Sequence, residues 1–339
     1  MAPKNVDDIY PLSPMQRLML LHELTAAQPD VLTNQLRYRI TGGLDEAAFR
    51  RACETVVARH PALRTGFLWE GFEQPLQVVR GTVRGFVRSV DATGIGEEQR
   101  VTRLDDIAAE DRRALQELSR APLLRCTLVR TDMAEHLLIW TVHHLVADRW
   151  SHATVIRELR ACYSAMTQEK VPDLAPAPAF RDYIHWISNQ DAEAARRFWS
   201  SELEGLSTPT RIAGVGPRAS SPQRQTCRRI LSEDQTERLE RRSTEWRTTP
   251  ASLLLAGIGL AVARRTRTHE PVVGLTVAGR PPTLPTVEDA VGSFVNNVPV
   301  RFHLDRQHPV SEWVREVFVG QIRRQPFEHV SLADIQQAA

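Results

Sequence analysis

Hydrophobic positions recur along the chain in two rhythms. From His136 to Val142 the side chains are almost all apolar, branched or aromatic, the pattern of a strand buried on both faces. Helical spacing appears instead from Ser13, over 45–59, and after Ser151 through Ile156, Leu159 and Tyr163, with Ser151 as a cap residue. A strand over 35–40 and several more before the histidine-bearing one complete an alternating α/β lobe over residues 1–170.

The rhythm then breaks. Pro172, Pro176 and Pro178 punctuate a polar stretch expected to cross over, and helices carrying Tyr183, Trp186, Phe198 and Trp199 follow. A Gly/Pro/Ser loop over 213–222 closes this middle region, 171–222. In 223–339 we expect a strand over 226–231 and a helix opened by a Ser232/Gln235 capping box. Beyond these lie an apolar helix capped by Thr249 with Pro250 first, a strand over 272–277 and another near Val298. No internal repeat is apparent.

Composition narrows the class without changing this picture. At 339 residues the chain exceeds one ordinary core, and 42% apolar residues suffice for two. Forty-three basic residues against 41 acidic ones leave a formal charge of +2, which gives no electrostatic case for nucleic acid or an anionic membrane. The four cysteines lack zinc or disulfide spacing and read as reduced thiols, so no metal is expected. The apolar run over 253–263 falls short of the roughly 20 residues a bilayer requires. Met1 to Asp8 contain no apolar core of a secretory leader, and a cytoplasmic enzyme is the expectation.

The candidate chemistry lies at the end of the apolar strand, where His143 and His144 are followed by Asp148. Successive strand side chains point oppositely, so one histidine faces a cleft while the other packs. An imidazole there, with a carboxylate near, suits proton transfer in either direction. Taken alone, the pair is as well explained by packing, and the aspartate by a local turn.

Five further stretches decide between these. Tyr10-Pro11-Leu12-Ser13-Pro14-Met15-Gln16 opens the chain, and Arg59-His60-Pro61-Ala62-Leu63-Arg64-Thr65 precedes the histidines. Phe180-Arg181-Asp182-Tyr183-Ile184, Val291-Gly292-Ser293-Phe294-Val295-Asn296-Asn297 and Gln325-Pro326-Phe327-Glu328-His329 follow them. In this order they resemble the condensation domain of nonribosomal peptide synthetases, a relative of chloramphenicol acetyltransferase. Met15-Gln16 and Asp182-Tyr183-Ile184 look most like the subtype taking a donor that ends in a D-residue.

The resemblance implies an α/β fold of two acetyltransferase-like lobes in a V-shaped pseudo-dimer. The second lobe is expected to be incomplete, since the family's terminal stretch has no counterpart before Ala339. It implies amide formation between a carrier-bound acyl or peptidyl thioester and a carrier-bound aminoacyl amine. The implied partners are donor and acceptor carrier proteins and an adjoining adenylation domain, the domain itself being monomeric. No cofactor is bound intrinsically, because both substrates ride on phosphopantetheine arms. His144 is implied beside the attacking amine, His143 behind it, and Asp148 as a structural partner of Arg64. Arg149, Trp150 and Ser151 are implied at the substrate entrance, with backbone N–H groups near Ser151 available to an oxyanion. Ser293 and Asn296 are placed on the second lobe, facing the tunnel.

One departure stands out: the family has glycine after the aspartate, and this chain has Arg149. It leaves open a blocked or gated donor arm, a contact with an acidic carrier surface or phosphate, and a side chain merely in solvent. The rival readings are a CoA-dependent two-lobed acyltransferase and a carrier-binding platform without turnover. Heterocyclising relatives carry aspartates in place of the histidines, and epimerising ones continue differently at Trp150.

Overall fold

The computed structural model describes residues 5–25, 31–206, 209–212, 227–305 and 307–339, and its chain divides into two compact units. The first comprises Met1–Gln190 with Ala278–Val295, the second Asp191–Val277 with Asn296–Ala339. The boundaries expected at 170 and 222 therefore move. Helix 180–188 stays with the first unit because Phe180 and Tyr183 pack there with Phe294, and 278–295 returns to that unit from the chain's second half.

In the first unit the elements run β1 (Val6–Pro11), α1 (Pro14–Thr25), β2 (Thr33–Thr41), α2 (Glu46–Arg59), β3 (Thr65–Leu68), β4 (Leu76–Arg80) and β5 (Val87–Asp91). Then come α3 (Glu97–Arg113), β6 (Leu124–Asp132), β7 (Glu135–His143), α4 (Arg149–Thr167) and α5 (Phe180–Ser188). Strand β7 lies inside a four-stranded sheet of order β2-β7-β6-β5, antiparallel except for the parallel β5–β6 pair. A smaller antiparallel sheet has the order β1-β4-β3.

Alternation along β7 divides its side chains between two cores. Leu138, Trp140 and Val142 join Phe49 and Val56 of α2 and Val155 and Leu159 of α4, while Ile139 packs with Ile107 of α3. The unbroken apolar run in the sequence thus reflects helices on both faces of the sheet. Each such fully buried side chain contributes roughly 1.5–3 kcal/mol, so the strand end that carries the histidines is fixed by its whole length. Helices α2 and α4 are also joined by charge: Glu158 accepts from Arg59 Nε at 2.9 Å and meets His60 Nε2 at 2.8 Å.

The second unit contains α6 (Ala192–Glu202), α7 (Glu233–Glu245), α8 (Pro250–Thr266), β8 (Val272–Val277), β9 (Asn296–Arg301), α9 (Val310–Arg324) and α10 (Leu332–Ala338). β8 and β9 pair antiparallel. The Ser232/Gln235 capping box forms, and Thr249 caps α8 with Pro250 at its first position. The strand expected over 226–231 does not form: residues 227–231 carry no ladder, and Ile230 is 78% exposed. A strand signal alone does not hold a strand that finds no pairing neighbour among the described residues. Thr226 and the loop expected over 213–222 lie outside the described residues.

The first unit requires glycine at two places in its returning segment. Gly279 has φ +64°, and a Cβ there would sit 1.7 Å from the Phe294 carbonyl oxygen. A Cβ on Gly292 would lie 2.2 Å from the Phe180 ring. All four cysteines are free, Cys53 and Cys126 lying 3.6 Å apart in the core. Among the described residues no helix is long and apolar enough to cross a membrane.

Candidate active site

The turn after β7 is held at nearly every backbone position. His144 N–H donates to the Leu32 carbonyl at 2.8 Å, Val146 N–H to that of His143, and Asp148 N–H to that of Gly292 at 3.0 Å. Leu145 is held from both sides: its N–H donates to His143 Nδ1 at 3.2 Å, and its carbonyl accepts from the Gln16 amide at 2.9 Å. A turn fixed this way presents its side chains without further ordering on substrate arrival, which is what positional catalysis requires.

The two histidines then separate. His143 is buried, its Nε2 3.6 Å from Glu23 Oε1. His144, one residue past the strand, is half-buried. Its Nδ1 is buried without a hydrogen-bond partner among the described residues, which leaves Nε2 as the nitrogen on the accessible side. Burial holds its pKa below the ordinary 6.5, outweighing the attraction of the Asp148 carboxylate. At neutral pH the ring is a neutral imidazole with a lone pair to offer.

Asp148 is almost wholly enclosed and has four donors. Its Oδ1 accepts Ser151 N–H at 2.8 Å, the Ser151 hydroxyl at 2.7 Å and Arg280 Nη2 at 3.1 Å, and its Oδ2 accepts Phe294 N–H at 3.2 Å. Two expectations are corrected here. The cap of α4 is Asp148, not Ser151, because the aspartate side chain reaches the helix's third N–H. The arginine that Asp148 meets is Arg280, whereas Arg64 donates to Asp7 at 2.8 Å and to the carbonyls of Ala58, Arg80 and Gly81. Arg64 therefore braces the β1–β4 region instead.

Arg280 has no periodic or motif signature in the sequence that marks it as part of the site. Its side chain is 4% exposed and lies over the Phe294 ring at 4.0 Å, and its Nε and Nη1 are buried without partners among the described residues. Burial disfavours its charge and Asp148 opposes that, which makes the two mutually dependent.

The other expected residues are placed as follows. Ser151 is fully committed: its N–H goes to Asp148, its hydroxyl accepts the Gly292 N–H, and the one hydroxyl proton lies between Asp148 and the Gly292 carbonyl. It offers nothing to an oxyanion. Trp150 is half-exposed and donates its indole N–H to the Glu288 carbonyl at 2.9 Å. Arg149 is exposed at the first position of α4, in ordinary right-handed backbone, so the family's glycine is not needed here for its angles. Only the consequence of its long cationic side chain remains.

Ser293 belongs to the first unit, not the second, and is completely buried against Met19 at 3.9 Å. Asn296, in the second unit, spends its amide on the carbonyls of Glu328 and Val330 at 2.6 and 2.7 Å. The fifth stretch thus straddles the unit boundary. Its polar residues are consumed by packing, and the sixth is fastened in the same way, by Trp199 Nε1 on the Phe327 carbonyl at 3.1 Å.

His152, on the first turn of α4, is a further residue the sequence did not single out. It is 7% exposed, its Nε2 has no partner among the described residues, and burial depresses its pKa to about 4. Between pH 6.5 and 4 the unfolded chain binds this proton and the native state does not, so lowering the pH favours unfolding. Stability that is complete above pH 6.5 is expected to fall by on the order of 3 kcal/mol as pH drops through this window. Urea titrations at pH 7 and pH 4 would show the fall in the parent and a smaller one in His152→Gln. An equal fall in the two would sink this assignment.

Comparison with known proteins gives the family. The model of the family described as "Condensation domain" matches residues 6–338. A linear gramicidin synthase chain from Brevibacillus parabrevis is 35% identical over 337 residues, 98% of this chain but 4% of that protein's length. Among solved structures, the first condensation domain of the calcium-dependent antibiotic synthetase superposes with a TM-score of 0.78 at 21% identity, over 99% of this chain and 79% of that one. The epimerization domain from the third module of tyrocidine synthetase B gives 0.82 at 22%, over 99% and 75%. These two likenesses establish a shared mixed α/β fold, and the family match, over residues 6–338, shows that the chain belongs to the condensation domain family.

Proposed function

We propose that this chain joins a donor acyl or peptidyl group, held as a thioester on one carrier protein's phosphopantetheine arm, to the amine of an aminoacyl group on a second carrier. The observation that supports it most is His144: a neutral, half-exposed imidazole on a rigid turn, in a chain of this family. The amine nitrogen forms a bond to the thioester carbon, the carbon–sulfur bond breaks, and the proton lost by the amine ends on the departing thiolate. His144 Nε2 accepts or orients that proton. His143 packs behind it, and Asp148 with Arg280 holds the turn.

In this reading the two units are the family's two acetyltransferase-like lobes. The domain works in the cytoplasm beside an adenylation domain, with a donor ending in a D-residue. Arg149 and Trp150 flank the donor arm, and Arg149 acts as a movable obstruction to it. A carrier-binding platform without turnover is the second reading, favoured by Arg149 alone.

The test is a condensation assay with both substrates loaded on carriers and the product read by mass spectrometry. Product from the parent supports the enzyme, and carrier binding with no product supports the platform. Arg149→Gly is expected to raise donor kcat/KM by roughly threefold, a change worth under ~1 kcal/mol. An unchanged or lowered value would remove the obstruction from the account.

A further inference from the structure

We propose that Glu23 is a positioning residue for His144, an inference that rests on the functional reading above. Glu23 lies near the C-terminal end of α1, and its side chain is 10% exposed. Its Oε1 accepts the Leu32 N–H at 3.3 Å, and the Leu32 carbonyl in turn accepts the His144 N–H at 2.8 Å. The same oxygen lies 3.6 Å from His143 Nε2. One carboxylate therefore acts on both histidines, on the backbone of one through Leu32 and on the ring of the other directly.

The tautomer follows from the network. Leu145 N–H donates to His143 Nδ1, so that nitrogen supplies its lone pair and the ring proton sits on Nε2, facing Glu23. A largely buried carboxyl group requires hydrogen-bond partners, and Glu23 has the Leu32 N–H together with the nearby imidazole N–H. In return it fixes the His143 ring, whose Nδ1 holds Leu145 immediately after His144. Removing the carboxylate loosens His144 at two adjacent points without touching its ring. Misplacement of a reacting group by a fraction of its working distance is costly to turnover and not to binding.

The test combines kinetics with histidine-ring ¹⁵N spectra of the parent, Glu23→Ala, Glu23→Gln and His144→Ala. Glu23→Ala is expected to lower kcat by about tenfold with acceptor KM within about twofold. Glu23→Gln, whose amide oxygen can still accept from Leu32, is expected to lie between it and the parent. In the parent the His143 ring should show a single tautomer protonated at Nε2, and in Glu23→Ala a mixture. Parental kcat in Glu23→Ala, or a fall in kcat matched by lost folded protein with unchanged ring signals, overturns the proposal. Should the parent and His144→Ala be equally inactive, the functional reading fails. The spectra still decide the contact, since ring signals indifferent to Glu23→Ala overturn it.

Discussion

His144→Ala is expected to lower the rate of product formation by ~10²–10⁴-fold, the usual contribution of a positioned proton acceptor, while leaving the fold intact. Both halves of this expectation come from the same geometry. The backbone N–H of His144 still donates to the Leu32 carbonyl after the substitution, so the turn keeps this anchor. Because burial holds the imidazole below its ordinary pKa, the acid limb of the pH–rate profile should fall below pH 6.5, with activity lost as the ring protonates. Single-turnover rates with both carriers loaded, together with thermal melting of the same samples, measure the two effects separately. A rate within about threefold of the parent would mean that alignment of the tethered substrates suffices and that the ring is dispensable.

Asp148→Ala should do the opposite, unfolding the turn before any chemistry can be read. The substitution strands Arg280 in the interior, a loss of about 3–5 kcal/mol for one partner of a buried pair, and removes the α4 cap at a further ~1 kcal/mol. Phe294 N–H and the Ser151 hydroxyl lose an acceptor as well. Denaturant midpoints would register this as a shift far beyond what an exposed carboxylate produces. Asp148→Ala combined with Arg280→Leu should recover part of it, since no unpaired charge then remains. A single-variant loss below about 1 kcal/mol would show that the pair is solvated in solution and that Asp148 is only a cap.

Much of this arrangement is legible in the sequence. The β7 run, the capping box at Ser232, Thr249 with Pro250, and the strand over 272–277 are local signals, written in residues adjacent in sequence, and they appear where expected. The histidine turn was legible for the same reason, as was the order of the six stretches. What escaped is long-range. Arg64 and Arg280 are equally plain as arginines, and nothing in the spacing tells which reaches Asp148, 132 residues away from Arg280. Ser293 and Asn296 are three positions apart, yet they pack in different units. The strand expected over 226–231 is not formed over its described part, 227–231, where no ladder partner is found among the described residues, a fact that only the fold supplies.

The chain passes between its two units three times, and the middle passage delivers Arg280, Gly292 and Phe294 to Asp148 and Ser151. For anyone recombining domains of this family, this connectivity restricts where sequences can be joined. A chimera spliced once near residue 190 would import a foreign arginine, glycine and phenylalanine to close around the native aspartate. A graft that exchanges 191–277 and 296–339 while retaining 278–295 keeps the histidine turn with its own supports, at the cost of three junctions instead of one.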